Sequence, residues 1–555
     1  MKKLIGLLIL SSFCFGQIES PLFVDSLQLE WVNSQYESMS LDERVGQLFV
    51  VAAYSNRGAE HENEIENLVK NEHIGGLIFM QDIATRQAEL NNRYNQFTKI
   101  PLLIGMDAEW GLAMRLKGVD RFPWAMTVGA VQDNELVKEM GRNIGEQAAR
   151  MGVSFNFAPD VDVNTNPLNP IIGNRSFGSD VNNVSEKGIA YMQGMLEMGV
   201  LSSAKHFPGH GDTSQDSHHT TPLVAHDLER LKSVELATFQ RLIDAGVPAV
   251  MISHLNVPAL DDSGIPATLS KKIIIDLLKN EMGFNGLVIT DALNMDGVAK
   301  AYPPGIVDLM AFEAGNDILL FSQDVKTAKQ KIIEKINSGE ISEQRLEESV
   351  KKILMAKYKV GLNDFKPLNT NGLPEELNKP EYASTTFRLY REAMSLIKND
   401  EDLIYLENYK ELNIAYVPLE ESDYQHFYEC MNHYTKVDLV KMKTAADIKK
   451  LKNYDLVIIG FHKSNETVYK SYKISDNSKE ILKAVSAEYP TVLTVFGSPY
   501  ALSDLDLTKT QSVLLMYQNL KTTHEIAAKA IFEETEFRGK LPADVNEELK
   551  FGMPN

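Results

Sequence analysis

Cysteine is almost absent: the 555 residues hold two, Cys14 and Cys430. Cys14 falls in an N-terminal segment expected to be removed, so no intrachain disulfide can form in the mature chain. Cys430 then reads as a buried small hydrophobe. Basic charge is also short: 56 Lys and Arg face 76 Asp and Glu, a formal net charge of −20. That balance argues against a nucleic-acid partner, which needs a basic surface, but leaves room for a local grip on an anionic substrate. After the first twenty residues no apolar run is long enough to span a membrane. There is no repeat of fixed period and no low-complexity tract. The stretch "FGSPY" lacks the spacing of a phosphate-binding or dinucleotide-binding loop, and no cofactor is expected.

What is present begins with a leader. "MKKLIGLLILSSFCFGQIES" pairs Lys2 and Lys3 with a short apolar core from Leu4 to Phe13, followed by small residues up to Gly16. It reads as a signal peptide over 1–16, with an exported product that is periplasmic or secreted. Phe13 stands where a lipobox needs a small residue. The length fits two domains. From about residue 41, short apolar runs alternate with amphipathic segments: 47–54, 74–80, 101–108, 153–163, 200–207, 247–255, 286–293 and 316–321. Eight such units predict an α/β fold with a parallel sheet, either a (β/α)8 TIM-type barrel or a doubly wound open sheet. Asp107, Asp162, His206, His254 and Asp291 close their runs. The carboxyl rim of a barrel is where polar groups from several strands converge, which favours the barrel. The barrel domain is assigned to 23–365, a Pro/Asn-rich linker to 366–384, and a second α/β sandwich domain to 385–555, with strands in "NIAYVPL", "DLVIIGF", "TVLTVFG" and "SVLLMYQ".

The densest chemistry is "KHFPGHGDTSQDSHH", residues 205–219. Pro208, Gly209 and Gly211 make it a loop after a strand. Its histidines could bind a metal, although their spacing matches no helical ligand pair and no cysteine is near. They could be structural. Or Asp216 and His218 could form an acid/base pair, the carboxylate fixing one imidazole nitrogen and leaving the other to move a proton near neutral pH.

"KHFPGHGDT…DSH" closely resembles the signature of family 3 glycoside hydrolases of the β-N-acetylglucosaminidase type. "ERVGQLFV", "GGLIFM", "MDAEWGLAMRL", "FAPDVDV", "IIGNRSFG", "MISHLNVPALD" and "GLVITDALNM" resemble that family's barrel motifs in the family's order. The resemblance implies a retaining β-N-acetylhexosaminidase acting on terminal N-acetyl-β-glucosaminides, from peptidoglycan fragments or chitooligosaccharides, through a covalent glycosyl-enzyme. It makes Asp291 the nucleophile and His218, with Asp216, the acid/base. Asp107, Arg115, Arg175, Lys205, His206 and His254 are then the candidate sugar-binding residues. No metal is implied, and a monomer is expected. Where the family often reads D-x-E-G-G-R, this chain has "DAEWGL", with Trp110 and Leu112 in place of Gly and Arg. Trp110 could offer a platform to a sugar face or simply pack on the rim. The alternatives are an N-acetylglucosaminide phosphorylase, since a histidine tolerates phosphate better than a carboxylate does, a β-glucosidase or β-xylosidase of the same family, and a non-catalytic sugar-binding protein.

Overall fold

The computed structural model describes residues 20–214, 221–405, 408–420, 422–469 and 472–554. The expected signal peptide and the pair Asp216 and His218 lie outside the described residues.

Every one of the eight apolar runs contains a strand. These are β1 (Phe49–Tyr54), β2 (Gly76–Met80), β3 (Leu103–Met106), β4 (Phe155–Asn156), β5 (Leu201–Phe207), β6 (Ala249–Ile252), β7 (Leu287–Thr290) and β8 (Leu319–Leu320). They pair in parallel in chain order, and β8 returns to pair with β1. The remaining seam, β7 to β8, is bridged by Thr290 N donating to Ile318 O at 3.1 Å and by a parallel bridge between Ile289 and Ile318. The sheet is a nearly closed barrel, and the open-sheet alternative is set aside. β3, β5, β6 and β7 are buried along their whole length. Burial on both faces explains why these strands read as continuous apolar runs rather than alternating ones.

The covering helices start where the sequence offers caps. Asp133 accepts from the N–H groups of Glu135 and Leu136 at the head of the helix Asn134–Arg150, and Asp180 accepts from Asn183 N ahead of Val181–Glu197. Each cap satisfies a donor the first turn leaves free, worth about 1 kcal/mol.

The second domain adds a six-stranded sheet: β9 (Ser395–Asn399), β10 (Ile414–Leu419), β11 (Val437–Leu439), β12 (Leu456–His462), β13 (Thr491–Phe496) and β14 (Ser512–Leu515). Its order is β9-β14-β13-β12-β10-β11, parallel except for the antiparallel edge strand β9. The four expected strands are all present; β9 and β11 were not foreseen. The helix Pro380–Ala393 runs through the expected boundary at 385. Cys430 is buried and unpaired, in the expected manner.

The two domains are joined by buried polar contacts. Gln518 Oε1 accepts from Trp124 N at 2.9 Å, Thr127 Oγ1 at 3.0 Å and Tyr390 OH at 3.1 Å. Asn164 Nδ2 donates to Tyr500 OH at 2.7 Å. Among the described residues, no helix is long and apolar enough to cross a membrane.

Candidate active site

The carboxyl rim of the barrel surrounds a cavity of about 410 Å³, toward the lower end of the ~300–1,000 Å³ that small-molecule sites occupy. Asp107, Arg115, Arg175, Lys205, His206 and Asp291 all line it. Six of the nine residues singled out from the sequence therefore converge, from segments up to 184 positions apart. The lining also includes apolar side chains, among them Met80, Met114, Met251, Met295 and Phe321.

The polar wall is one continuous ionic chain. Arg115 Nη2 lies 2.6 Å from Asp107 Oδ2, and Lys205 Nζ lies 3.1 Å from Asp107 Oδ1. Lys205 Nζ is also 2.8 Å from Glu109 Oε1. Glu109 in turn is gripped by Arg175, whose Nε is 3.0 Å from Oε2 and whose Nη2 is 2.7 Å from Oε1. The same Nη2 sits 3.3 Å from His206 Nε2. An arginine only donates, so Nε2 accepts, and His206 Nδ1 carries the hydrogen given to Asp162 Oδ2 at 2.7 Å. Asp162 also accepts the backbone N–H of His210 through Oδ1 at 2.6 Å. Asp162 thus holds both the strand end and the loop that follows it. Gly211 lets that loop pass so close to the segment that follows β4 that a Cβ there would meet Val163 O at 1.9 Å.

The charges are mutually sustaining. Burial would raise the pKa of Asp107, but Lys205 and Arg115 outweigh it and hold it at about 2. Burial acts likewise on Glu109, and Arg175 and Lys205 pull it well below the usual carboxylate range. Burial would discharge Lys205, yet Glu109 and Asp107 raise its pKa above normal. Asp160 differs: burial and the neighbouring Asp162 carboxylate push it well up, toward holding a proton, and its Oδ2 has no hydrogen-bond partner among the described residues. Asp160, Asp162 and His206 are near enough to share an ion. With the Arg175 guanidinium 3.6 Å from Asp160 Oδ2 and the His206 hydrogen already given to Asp162, they are better satisfied as a proton-sharing cluster.

Asp291 follows β7 and opens onto the cavity. Its Oδ1 accepts the N–H of Ala292 at 2.7 Å. Burial works against its charge, but His254, His206, that N–H and Lys205 more than compensate and keep the pKa below normal. The carboxylate is thus held in its ionised form at the cavity.

His254 does not join the polar wall. It is buried, with Nδ1 2.7 Å from Thr268 Oγ1 and Nε2 3.0 Å from Ala292 O. It braces the turn that carries Asp291 instead of lining the cavity. Trp110 stands edge-on to Trp124, ring centroids 6.5 Å apart, and packs on the rim.

Glu109, His210 and Tyr469 also line the cavity, and the sequence assigns none of them a role. Glu109 stands two residues after the strand-end Asp107 in "MDAEWGLAMRL", which is its only local signal. His210 is buried at the cavity with Nδ1 2.7 Å from Thr213 Oγ1, while Nε2 has no partner among the described residues. Burial lowers its pKa to about 4. Tyr469 comes from the second domain, and no sequence pattern marks it.

A cavity on the carboxyl rim of a parallel α/β barrel, with an ionised carboxylate facing a chain of paired cations and acids, is the site of a barrel enzyme that acts on a polar, hydroxyl-rich substrate. The chain belongs to glycosyl hydrolase family 3, whose N-terminal domain matches residues 40–356. It is 27% identical over 394 residues to a β-N-acetylglucosaminidase/β-glucosidase of Cellulomonas fimi, covering 69% of each chain. It is 30% identical over 378 residues to β-hexosaminidase A of Pseudoalteromonas piscicida, covering 62% of this chain and 63% of that one. Among solved structures, a family 3 β-N-acetylglucosaminidase from Paenibacillus sp. str. FPU-7 superimposes with a TM-score of 0.76 at 28% identity, over 92% of this chain and 99% of that one.

Proposed function

We propose that the protein is a retaining exo-glycosidase that removes terminal non-reducing N-acetyl-β-D-glucosaminyl residues. The observation that carries this reading is Asp291: a carboxylate kept ionised just past a strand end, lining a cavity whose other polar residues can satisfy sugar hydroxyls. The names of the relatives support the sugar class.

In this mechanism Asp291 attacks the anomeric carbon and the glycosidic C–O bond breaks. The leaving oxygen takes a proton from His218, which Asp216 orients. His218, now a base, takes a proton from water, and the resulting oxygen displaces Asp291 from the anomeric carbon. The sugar leaves with its original configuration and both residues return to their starting states. Asp107, Arg115, Lys205 and His206 hold the non-reacting hydroxyls, and that binding helps drive the ring toward the transition state. The natural substrates under this reading are peptidoglycan fragments or chitooligosaccharides met by an exported monomer, consistent with the leader-like N-terminus.

The deciding experiment compares release from aryl N-acetyl-β-glucosaminide, aryl β-glucoside and a muropeptide, with and without inorganic phosphate. Free N-acetylglucosamine formed at a rate independent of phosphate is expected. A sugar 1-phosphate, or preference for the glucoside, would overturn the assignment.

A further inference from the structure

Where the second domain meets the barrel, three buried donors have no acceptor among the described residues. Gln518, just past β14, spends its Oε1 on Trp124 N at 2.9 Å, Thr127 Oγ1 at 3.0 Å and Tyr390 OH at 3.1 Å. A backbone N–H only donates, so Trp124 N fixes which end of the amide is oxygen. The other end, Gln518 Nε2, is then left unpaired. The indole Nε1 of Trp124 is also buried and unpaired, and so is the guanidinium Nε of Arg121.

The three side chains share one seam. Arg121 stands over the Trp124 ring, Cζ 5.2 Å from its centroid. Its Nη1 reaches across to the second domain and donates to Asn465 O at 3.3 Å. That carbonyl is neutral, and no described carboxylate pairs with Arg121. Burial works against its charge, and the one described group that supports it is Tyr390. The Tyr390 phenol is itself kept protonated by burial, so it brings no negative charge. A buried cation without a counter-charge is costly, and so is a buried N–H without an acceptor. A single occupant of the right chemistry relieves both.

We infer that this seam is a binding site for a small inorganic anion, chloride, held by Arg121, Trp124 Nε1 and Gln518 Nε2. Chloride accepts N–H groups from several directions at once. It carries no hydrogen that would need an acceptor in return, and its one negative charge matches the one guanidinium. A water molecule would bring two hydrogens to a set of donors and leave the charge uncompensated. Arg121 and Trp124 belong to the barrel and Gln518 to the second domain, so the anion serves as a counter-ion that pins one domain to the other. None of the three residues lines the active-site cavity, and the site stands whichever sugar the enzyme cleaves.

Crystals of the full chain soaked in bromide test the site directly. An anomalous bromine peak is expected within hydrogen-bonding reach of Arg121, Trp124 Nε1 and Gln518 Nε2. Melting temperature is measured in parallel in sodium chloride and in sodium gluconate at equal ionic strength, which keeps general screening the same. The parent should melt about 2–4 °C higher in chloride, the scale of an anion that binds only the folded chain. Arg121→Met and Trp124→Phe should each lose most of that difference. Should Arg121→Met fail to fold, Trp124→Phe decides alone, since it keeps an aromatic ring and removes only the donor. No bromine peak at the three donors, equal melting of the parent in the two salts, or a chloride effect undiminished in Trp124→Phe would each overturn the inference.

Discussion

Arg175 grips Glu109 in a two-point fork, Nε to Oε2 at 3.0 Å and Nη2 to Oε1 at 2.7 Å, with both side chains buried. An arginine expected to address substrate is therefore largely committed to holding another residue. Lys205 shares the same carboxylate at 2.8 Å. Glu109 is the counter-charge that Arg175 and Lys205 share, and the placing of both cations depends on it.

Glu109→Gln should accordingly cost about 3–5 kcal/mol of stability, the usual penalty for leaving buried partners uncompensated. It should also lower kcat/KM. Urea unfolding and steady-state kinetics on the same preparation check both. A variant unchanged in both measurements would show that the fork is dispensable.

Asp291→Ala should remove turnover by about a thousandfold or more while leaving the unfolding midpoint close to that of the parent, because the side chain is partly open to the cavity. Added azide should restore product as a glycosyl azide of inverted anomeric configuration. Full hydrolysis by the variant would end the assignment of Asp291.

His218→Ala should slow glycosides with poor leaving groups far more than those with good ones, since only the former need a proton in the bond-breaking step. The slope of log kcat/KM against leaving-group pKa measures this. Equal slowing across the series would remove His218 from the role of proton donor.

The ionic wall predicts acid sensitivity of a definite sign. Asp107 is held at about 2, and Glu109 and Asp162 are also depressed, whereas an unfolded chain titrates such groups near ~4. Depressed folded values contribute stability that is complete above the unfolded value and is lost as pH falls through the folded ones. Asp160, whose pKa is raised, works in the opposite direction but is outnumbered. Melting temperature should therefore drop steeply between about pH 4 and pH 2. Calorimetry across that window decides it, and a rise on acidification would contradict the ionic account.

Gln518→Ala should leave three buried donors of the barrel and the joining helix without their acceptor. The expected cost is about 1–3 kcal/mol, with barrel and second-domain transitions separating in denaturant. A single transition at the parent midpoint would mean that the apolar interface alone couples the domains.

The amino-acid sequence by itself determined the architecture of the barrel. Strands buried on both faces must be apolar throughout, so "PLLIGMDA" and "GLVITDAL" announce both the strand and, in the polar residue at the end, the rim. β9 and β11 escaped because one is an edge strand with polar ends and the other has three residues, too few for a pattern. Asp107, Lys205, His206 and Asp291 were legible for the same local reason that their strands were. The tertiary structure alone decided who partners whom. Nothing local shows that Glu109 joins Lys205 to Arg175, that His254 turns its ring toward Thr268 and Ala292, or that Trp110 packs on Trp124. Those outcomes depend on how segments between 14 and 96 positions apart are brought together. Tyr469 is the extreme case: a solvent-compatible side chain in an irregular segment, placed at the cavity only because Glu420 and Lys463 tie its loop and the second domain is fixed on the barrel. Burial and periodicity act along the chain and can be read from it; charge pairing across a cavity is set by the fold.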